Sequence, residues 1–151
     1  TSIEKILGNR VLILRISNII SLPNKNKRKL HKTFCDIFFE MAKSGFIYKN
    51  KETYKDFISI KKFNQIVFKL INKDAFGPFN ISLGKKVYIN QIIIWLNFYN
   101  LKKIKIINQK NSFNNDNFTL NNKKLMNRIK IKNNVIDLKN ECLRISKNFF
   151  K

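Results

Sequence analysis

The stretch Phe79-Asn80-Ile81-Ser82-Leu83-Gly84-Lys85-Lys86-Val87-Tyr88-Ile89 governs how the chain is read. Phe79 and Ile81 alternate with polar neighbours, and so do Val87 and Ile89. A period of two marks a strand with one buried face. Leu83-Gly84 between them predicts a tight corner, because glycine lets the backbone turn where a side chain would clash. Gly77-Pro78, just upstream, reads as a turn.

Working outward toward the C-terminus, residues 90–100 predict a short apolar helix carrying Trp95 and Tyr99. Ile104, Ile106 and Ile107 make the next strand, with Lys103 and Lys105 on its other face. Residues 108–117 are polar, Asn-rich and aperiodic, which predicts a loop. Ile129 and Ile131 alternate like a strand. Leu138, Cys142, Ile145 and Phe149 recur at helical spacing.

Working outward toward the N-terminus, residues 65–71 are a dense apolar run and residues 57–63 alternate in part; both read as β. Phe46-Ile47-Tyr48 starts a strand. Before it, Leu30, Phe34, Ile37, Phe38 and Met41 share one helical face, and Gly45 ends that helix as a left-handed cap. The basic run at residues 24–29 leads into it. Pro23 marks a break, and residues 16–22 make a short apolar strand. Ile3, Ile6, Leu7, Val11 and Leu14 share one face of a first helix. The predicted class is α+β: an N-terminal helix–strand–helix lobe at residues 1–72 and a β-rich C-terminal lobe with a short helix at residues 73–151.

Composition narrows the function. The 151 residues carry 31 Lys and Arg against 9 Asp and Glu, a net charge of +22. Such a surface repels itself and favours a polyanionic partner. A hydrophobic content of 44% is too high for a disordered basic tail. There are 26 Lys, 24 Ile, 23 Asn and 14 Phe, while alanine occurs only at Ala42 and Ala75. All four abundant types have codons rich in A and T, which implies a nucleotide-biased genome such as that of an organelle. The two cysteines, Cys35 and Cys142, read as buried hydrophobes in a reducing compartment. The longest strictly apolar stretch, residues 92–96, is far short of a membrane span.

Catalytic constellations are nearly absent. The chain has one histidine, His31, and its acids are scattered; Asp36 and Glu40 stand four apart, at helical spacing. That pair balances Lys32 and Lys43 on a helix surface. The four glycines form neither a phosphate-binding loop nor a dinucleotide fingerprint. No cofactor, metal site or small-molecule substrate is expected, and the protein is not expected to be an enzyme. Lysines interleaved with Asn, Gln, Ser and Tyr remain, and these are the groups that neutralise phosphates and bond riboses and bases.

Two stretches carry a resemblance. Leu14-Arg15-Ile16-Ser17-Asn18, followed by a proline, a basic approach to a helix and Gly45-Phe46-Ile47, resembles the first part of the small-subunit ribosomal protein eight family. Ile81-Ser82-Leu83-Gly84-Lys85-Lys86-Val87-Tyr88 resembles that family's Ile-Ser-Lys-Pro-Gly-Arg-Arg-Val-Tyr, one residue shorter. Ile104-Lys105-Ile106-Ile107 follows as an Ile-x-Ile-Leu-like strand. Asn108-Gln109-Lys110-Asn111-Ser112 stands where the family has a Ser-Thr-Ser-Lys-Gly loop. The family's terminal Gly-Gly-Glu strand region has no counterpart here.

The resemblance implies a structural protein of the small ribosomal subunit, mitochondrial or alternatively plastid. Its partners would be the central domain of ribosomal RNA and neighbouring ribosomal proteins, with no membrane. The implied RNA contacts are Arg15, Asn18, Lys25, Lys27, Arg28, Lys29, Ser82, Lys85, Lys86, Tyr88, Asn108, Gln109, Lys110, Asn111 and Ser112. The alternatives are another organellar ribosomal or ribosome-assembly protein, a small nuclease, or a basic accessory subunit of a membrane complex.

Overall fold

A computed structural model describes residues 10–23, 31–49, 53–102, 104–108, 117–131 and 133–151. Helix and strand are mixed throughout, as an α+β chain requires. The order is β1 (Leu12–Ile16), β2 (Asn18–Ile20), α1 (Phe34–Lys43), β3 (Phe46–Lys49), β4 (Tyr54–Lys55), β5 (Phe57–Ser59), α2 (Ile60–Ile71), β6 (Gly77–Ile81), β7 (Val87–Tyr88), α3 (Ile89–Leu96), β8 (Lys105–Asn108), α4 (Lys123–Ile129) and α5 (Val135–Phe149).

Three strand pairs are parallel: β1 with β6, β2 with β5, and β3 with β8. Parallel neighbours need long crossovers, and helices supply them. The fourth pair, β4 with β7, is antiparallel and puts Tyr54 opposite Tyr88. At Ser17 the chain passes from one parallel pair to the next. The Ser17 amide donates to the Ile81 carbonyl at 3.1 Å, and the Asn18 amide donates to the Asp56 carbonyl at 3.2 Å.

Two apolar cores result, and β5 stands between them. Phe57 points into a core with Ile20, Phe38, Phe39, Leu96 and Cys142, while Ile58 points into a core with Ile66, Leu70, Phe79 and Leu125. Successive side chains of a strand face opposite ways, so one short strand serves both. In the first core Phe39 stacks on Phe149 with ring centroids 3.9 Å apart.

Local chemistry sets the helix starts. Thr33 and Asp36 form a reciprocal cap on α1: Thr33 Oγ1 accepts from the Asp36 amide at 3.3 Å, and Asp36 Oδ2 accepts from the Thr33 amide at 2.9 Å. Ser59 caps α2 through the Lys62 amide, and Asn134 caps α5 through the Asp137 amide.

The structure corrects several sequence expectations. Residues 12–16 form a strand, not the end of a helix. A strand of a parallel pair is a near-continuous apolar run, so its offsets also fit a helical face. Residues 60–71 form a helix, against the β expectation. Ile66 and Leu70 are its buried positions, whereas Phe68 and Ile71 are apolar residues on its exposed side, and they make the run look dense. Gly77-Pro78 opens β6 instead of making a turn. Ile129 ends α4, and Lys130 takes a left-handed turn at φ +50°, so Ile131 re-enters the same core without a strand. The helices at α1, α3 and α5, the strands at β3 and β8, and the left-handed Gly45 (φ +82°) follow the sequence reading. Residues 3–9 of the expected first helix lie outside the described residues.

Candidate functional site

Asp56 lies between β4 and β5 with its side chain fully buried. One carboxylate oxygen accepts the Leu83 amide at 2.9 Å and the Gly84 amide at 3.3 Å. The other accepts the Gly84 amide at 3.1 Å and the Leu120 amide at 3.1 Å. The Asp56 carbonyl accepts from both the backbone and the side chain of Asn18. One residue therefore ties together the β1–β2 junction, the loop after β6 and the segment before α4. Burial pushes the Asp56 carboxyl above the ordinary carboxylate range, and the three amides of Leu120, Leu83 and Gly84 oppose that push.

The loop after β6 is closed on itself as well. The Ser82 carbonyl accepts from Asn122 Nδ2 and Asn133 Nδ2, each at 3.0 Å. Ser82 Oγ donates to the Leu120 carbonyl at 3.4 Å. Gly84 has φ +70°, and a Cβ there would lie 2.6 Å from the Asn122 side chain, so both conformation and space call for glycine.

Outside this clamp sits a surface of rings and cations. Tyr54 and Tyr88 meet edge to face at 6.0 Å. Lys86 Nζ lies 4.8 Å from the Tyr54 ring centroid, and Lys55 Nζ lies 5.8 Å from that of Phe118. The Tyr54 amide donates to Asn117 Oδ1 at 2.9 Å, which holds β4 against the segment leading to Leu120. The parallel strands β1 and β6 both run toward this corner with their carboxyl ends, the edge at which parallel sheets present ligands. At the end of β1, Ser17 Oγ is buried without a hydrogen-bond partner among the described residues.

Of the residues expected to carry function, Asn18, Ser82, Lys85, Lys86 and Tyr88 come together at this corner. Arg15 is exposed on β1, opposite Asn80, and Asn108 is exposed at the end of β8, opposite Lys49. Lys25, Lys27, Arg28, Lys29, Gln109, Lys110, Asn111 and Ser112 lie outside the described residues. Sequence reasoning missed Lys55, Asp56, Asn117, Phe118 and Asn122. The available signal was Asp56 itself, an acid directly before the apolar Phe57-Ile58 in a chain with few acids. Among the described residues no group of three His, Cys, Asp or Glu side chains could hold a metal ion.

No family model matches the chain, and no curated protein matches it. Solved structures do. UDP-N-acetylglucosamine 4-epimerase from Methanobrevibacter ruminantium M1, in complex with UDP-N-acetylmuramic acid, superposes with a TM-score of 0.72 at 19% identity, over 98% of this chain and 48% of that one. RMD from Pseudomonas aeruginosa, complexed with NADPH, gives 0.72 at 15% identity, over 97% and 50%. UDP-glucose 4-epimerase from Thermotoga maritima, with UDP-glucose, gives 0.69 at 17%, over 91% and 45%. The chain spans about half the length of these enzymes. At such identities the likeness shows the fold.

That fold overturns the ribosomal reading. Leu14–Asn18 is the end of a parallel strand and the start of the next, not the end of a helix. Ile81–Tyr88 is fastened to a buried carboxylate and is not a free RNA-reading loop. The short motifs matched because Ile, Ser, Gly and Lys suit any strand–corner–strand unit. The expectations of a structural, non-enzymatic role, of ribosomal RNA and ribosomal proteins as partners, and of no small-molecule substrate fall with it, because the matched folds are those of enzymes solved with UDP-sugars or NADPH. A net charge of +22 favours anions without choosing RNA among them.

Proposed function

We propose that this chain is the sugar-nucleotide-binding portion of an enzyme of the epimerase and dehydratase type. The observation that carries this is the clamp of Asp56 on Leu83, Gly84 and Leu120, which fixes Lys86, Tyr54 and Tyr88 on one surface at the carboxyl ends of β1 and β6. The tyrosine rings suit the face of a nucleobase, and the Lys86 ammonium beside them suits a phosphate. Asp56 acts as a positioning residue, since its oxygens are spent on backbone amides.

The residues do not fit a dinucleotide cofactor. No glycine fingerprint is present, and the amides of Leu83 and Gly84, which a pyrophosphate would use, are already held by a carboxylate. A dinucleotide would therefore be bound by other residues than these, and no hydride step is assigned to this chain. The strand pairings cross the expected boundary at residue 72, and both cores draw on residues from either side of it. We read the described residues as one unit with two cores in place of two sequential lobes.

Calorimetric titration with UDP tests the proposal. UDP is expected to bind, and the double variant Lys86→Gln with Tyr88→Ala to weaken it by about tenfold, from a lost charge-assisted contact and a lost ring. Absence of UDP binding, or affinity unchanged in the double variant, would overturn the assignment.

A further inference from the structure

The short helix α3 is apolar on both sides. Ile92, Ile93 and Leu96 are buried in the first core, as an inward face should be. Ile94, on the outward side, is 62% exposed, and the series continues into the following turn with Phe98 at 65% and Leu101 at 96%. Ile94 and Phe98 stand four positions apart on one side, and Leu101 follows in the exposed turn beyond the helix. Large apolar groups grouped this way on a surface mark an interaction site.

The turn that carries them is well held. The Asn100 amide donates to the Asn97 carbonyl at 3.0 Å, and Asn100 Nδ2 donates to Asn97 Oδ1 at 3.0 Å. The Lys102 amide donates to Asn100 Oδ1 at 3.0 Å, and the Tyr99 amide donates to Ser146 Oγ at 3.1 Å. These amides already have partners, so an apolar medium could receive the turn without stranding them. Leu101 and Phe98 thus project from a fixed turn.

Charge identifies the partner. Exposed Lys102 and Lys105 follow the turn directly, and the sequence has no acid anywhere between Asp74 and Asp116. A second copy of the chain would bring another +22 to the contact. Nucleic acid would leave Ile94 and Leu101 without a function, because neither has a ring to stack. Apolar side chains at an apex with lysines behind them match an anionic lipid surface, where the former enter the acyl boundary and the latter meet the headgroups. We propose that the turn at residues 97–102 docks this protein on an anionic bilayer. No helix of the described residues is long and apolar enough to cross a membrane, and this docking needs none.

Co-sedimentation of the full chain with phosphatidylcholine vesicles, with and without phosphatidylserine, tests the proposal. Binding is expected on the anionic vesicles, and Phe98→Ser with Leu101→Ser is expected to weaken it by about tenfold or more. Ile136→Ser, at another exposed apolar position (65%), is the control that leaves binding unchanged. Circular dichroism checks that the variants keep their fold, which the exposure of all three positions favours. Equal vesicle binding by the double variant would overturn the proposal. So would a wild-type dimer, seen by light scattering, that the double variant loses, since the patch would then belong to a second copy. Binding to polyglutamate that depends on Phe98 and Leu101 while vesicle binding does not would assign the patch to an acidic protein.

Discussion

The Gly84 amide lies 3.1 Å from one oxygen of the Asp56 carboxylate and 3.3 Å from the other, so a single backbone N–H is shared across the whole carboxyl group. Such a contact, together with the Leu83 and Leu120 amides, holds the side chain in one orientation.

Asp56→Asn exchanges one acceptor oxygen for a donor that faces N–H groups. We expect a loss of about 2–4 kcal/mol in urea unfolding, from buried amides left without acceptors. A loss within experimental error would show that the loop after β6 holds its shape without the clamp.

The same carboxyl has a pH signature. Its folded pKa is raised by burial, so the folded state binds this proton more tightly than the unfolded chain does. Its contribution to stability is fully present below the ordinary carboxylate value and is lost as pH rises through the folded value. Carboxyl-detected NMR titration should place the Asp56 midpoint above that of an unstructured aspartate. A midpoint below it would mean that the amide donors outweigh desolvation.

Two glycines with similar φ provide a matched comparison. Gly45→Ala meets open space at φ +82° and should cost about 1 kcal/mol, the penalty of a left-handed side chain alone. Gly84→Ala adds a collision with the Asn122 side chain and should cost about 1–2 kcal/mol more. Equal losses, measured by thermal melts, would show that Asn122 moves aside freely and that its bond to the Ser82 carbonyl contributes nothing.

Cys35 and Cys142 are both fully buried, and burial pushes the Cys142 thiol far above its usual range. Neither should react with Ellman's reagent in the native protein at pH 8, and both should react at once in denaturant. Rapid reaction of the native protein would show that the core around Phe39 and Leu138 opens readily.

Much of this fold was legible where amphipathic spacing was clean. Phe34, Phe38 and Met41 on α1, and Leu138, Cys142 and Ile145 on α5, alternate with charged residues at the period a helix requires. Legibility failed where exposed positions carry apolar residues. Phe68 and Ile71 fill the outer side of α2 and imitate a buried strand, and Leu12 to Ile16 has only Arg15 as a polar position, too little to break a tie between helix and strand. The corner at Leu83-Gly84 was visible from its glycine. What it closes on was not, because Asp56 is 27 residues from Leu83, and pairwise spacing carries no sign of a side chain reaching that far. Lys86 and Tyr88 stand close to that glycine and are readable from local spacing, whereas the contact of Lys86 with the Tyr54 ring, distant in sequence, is not.

The placement of β5 between the cores has a consequence for errors in folding. A slip of one residue would turn Phe57 toward Ile66 and Ile58 toward Phe39, putting a branched aliphatic in place of a ring in one interior and the reverse in the other. It would also carry Asp56 out of reach of Gly84. Misregistered chains should thus lose packing and site in the same event, and a well-folded population with a damaged corner should not accumulate. Quality control acting on exposed apolar surface alone would then be enough to remove every inactive molecule of this kind.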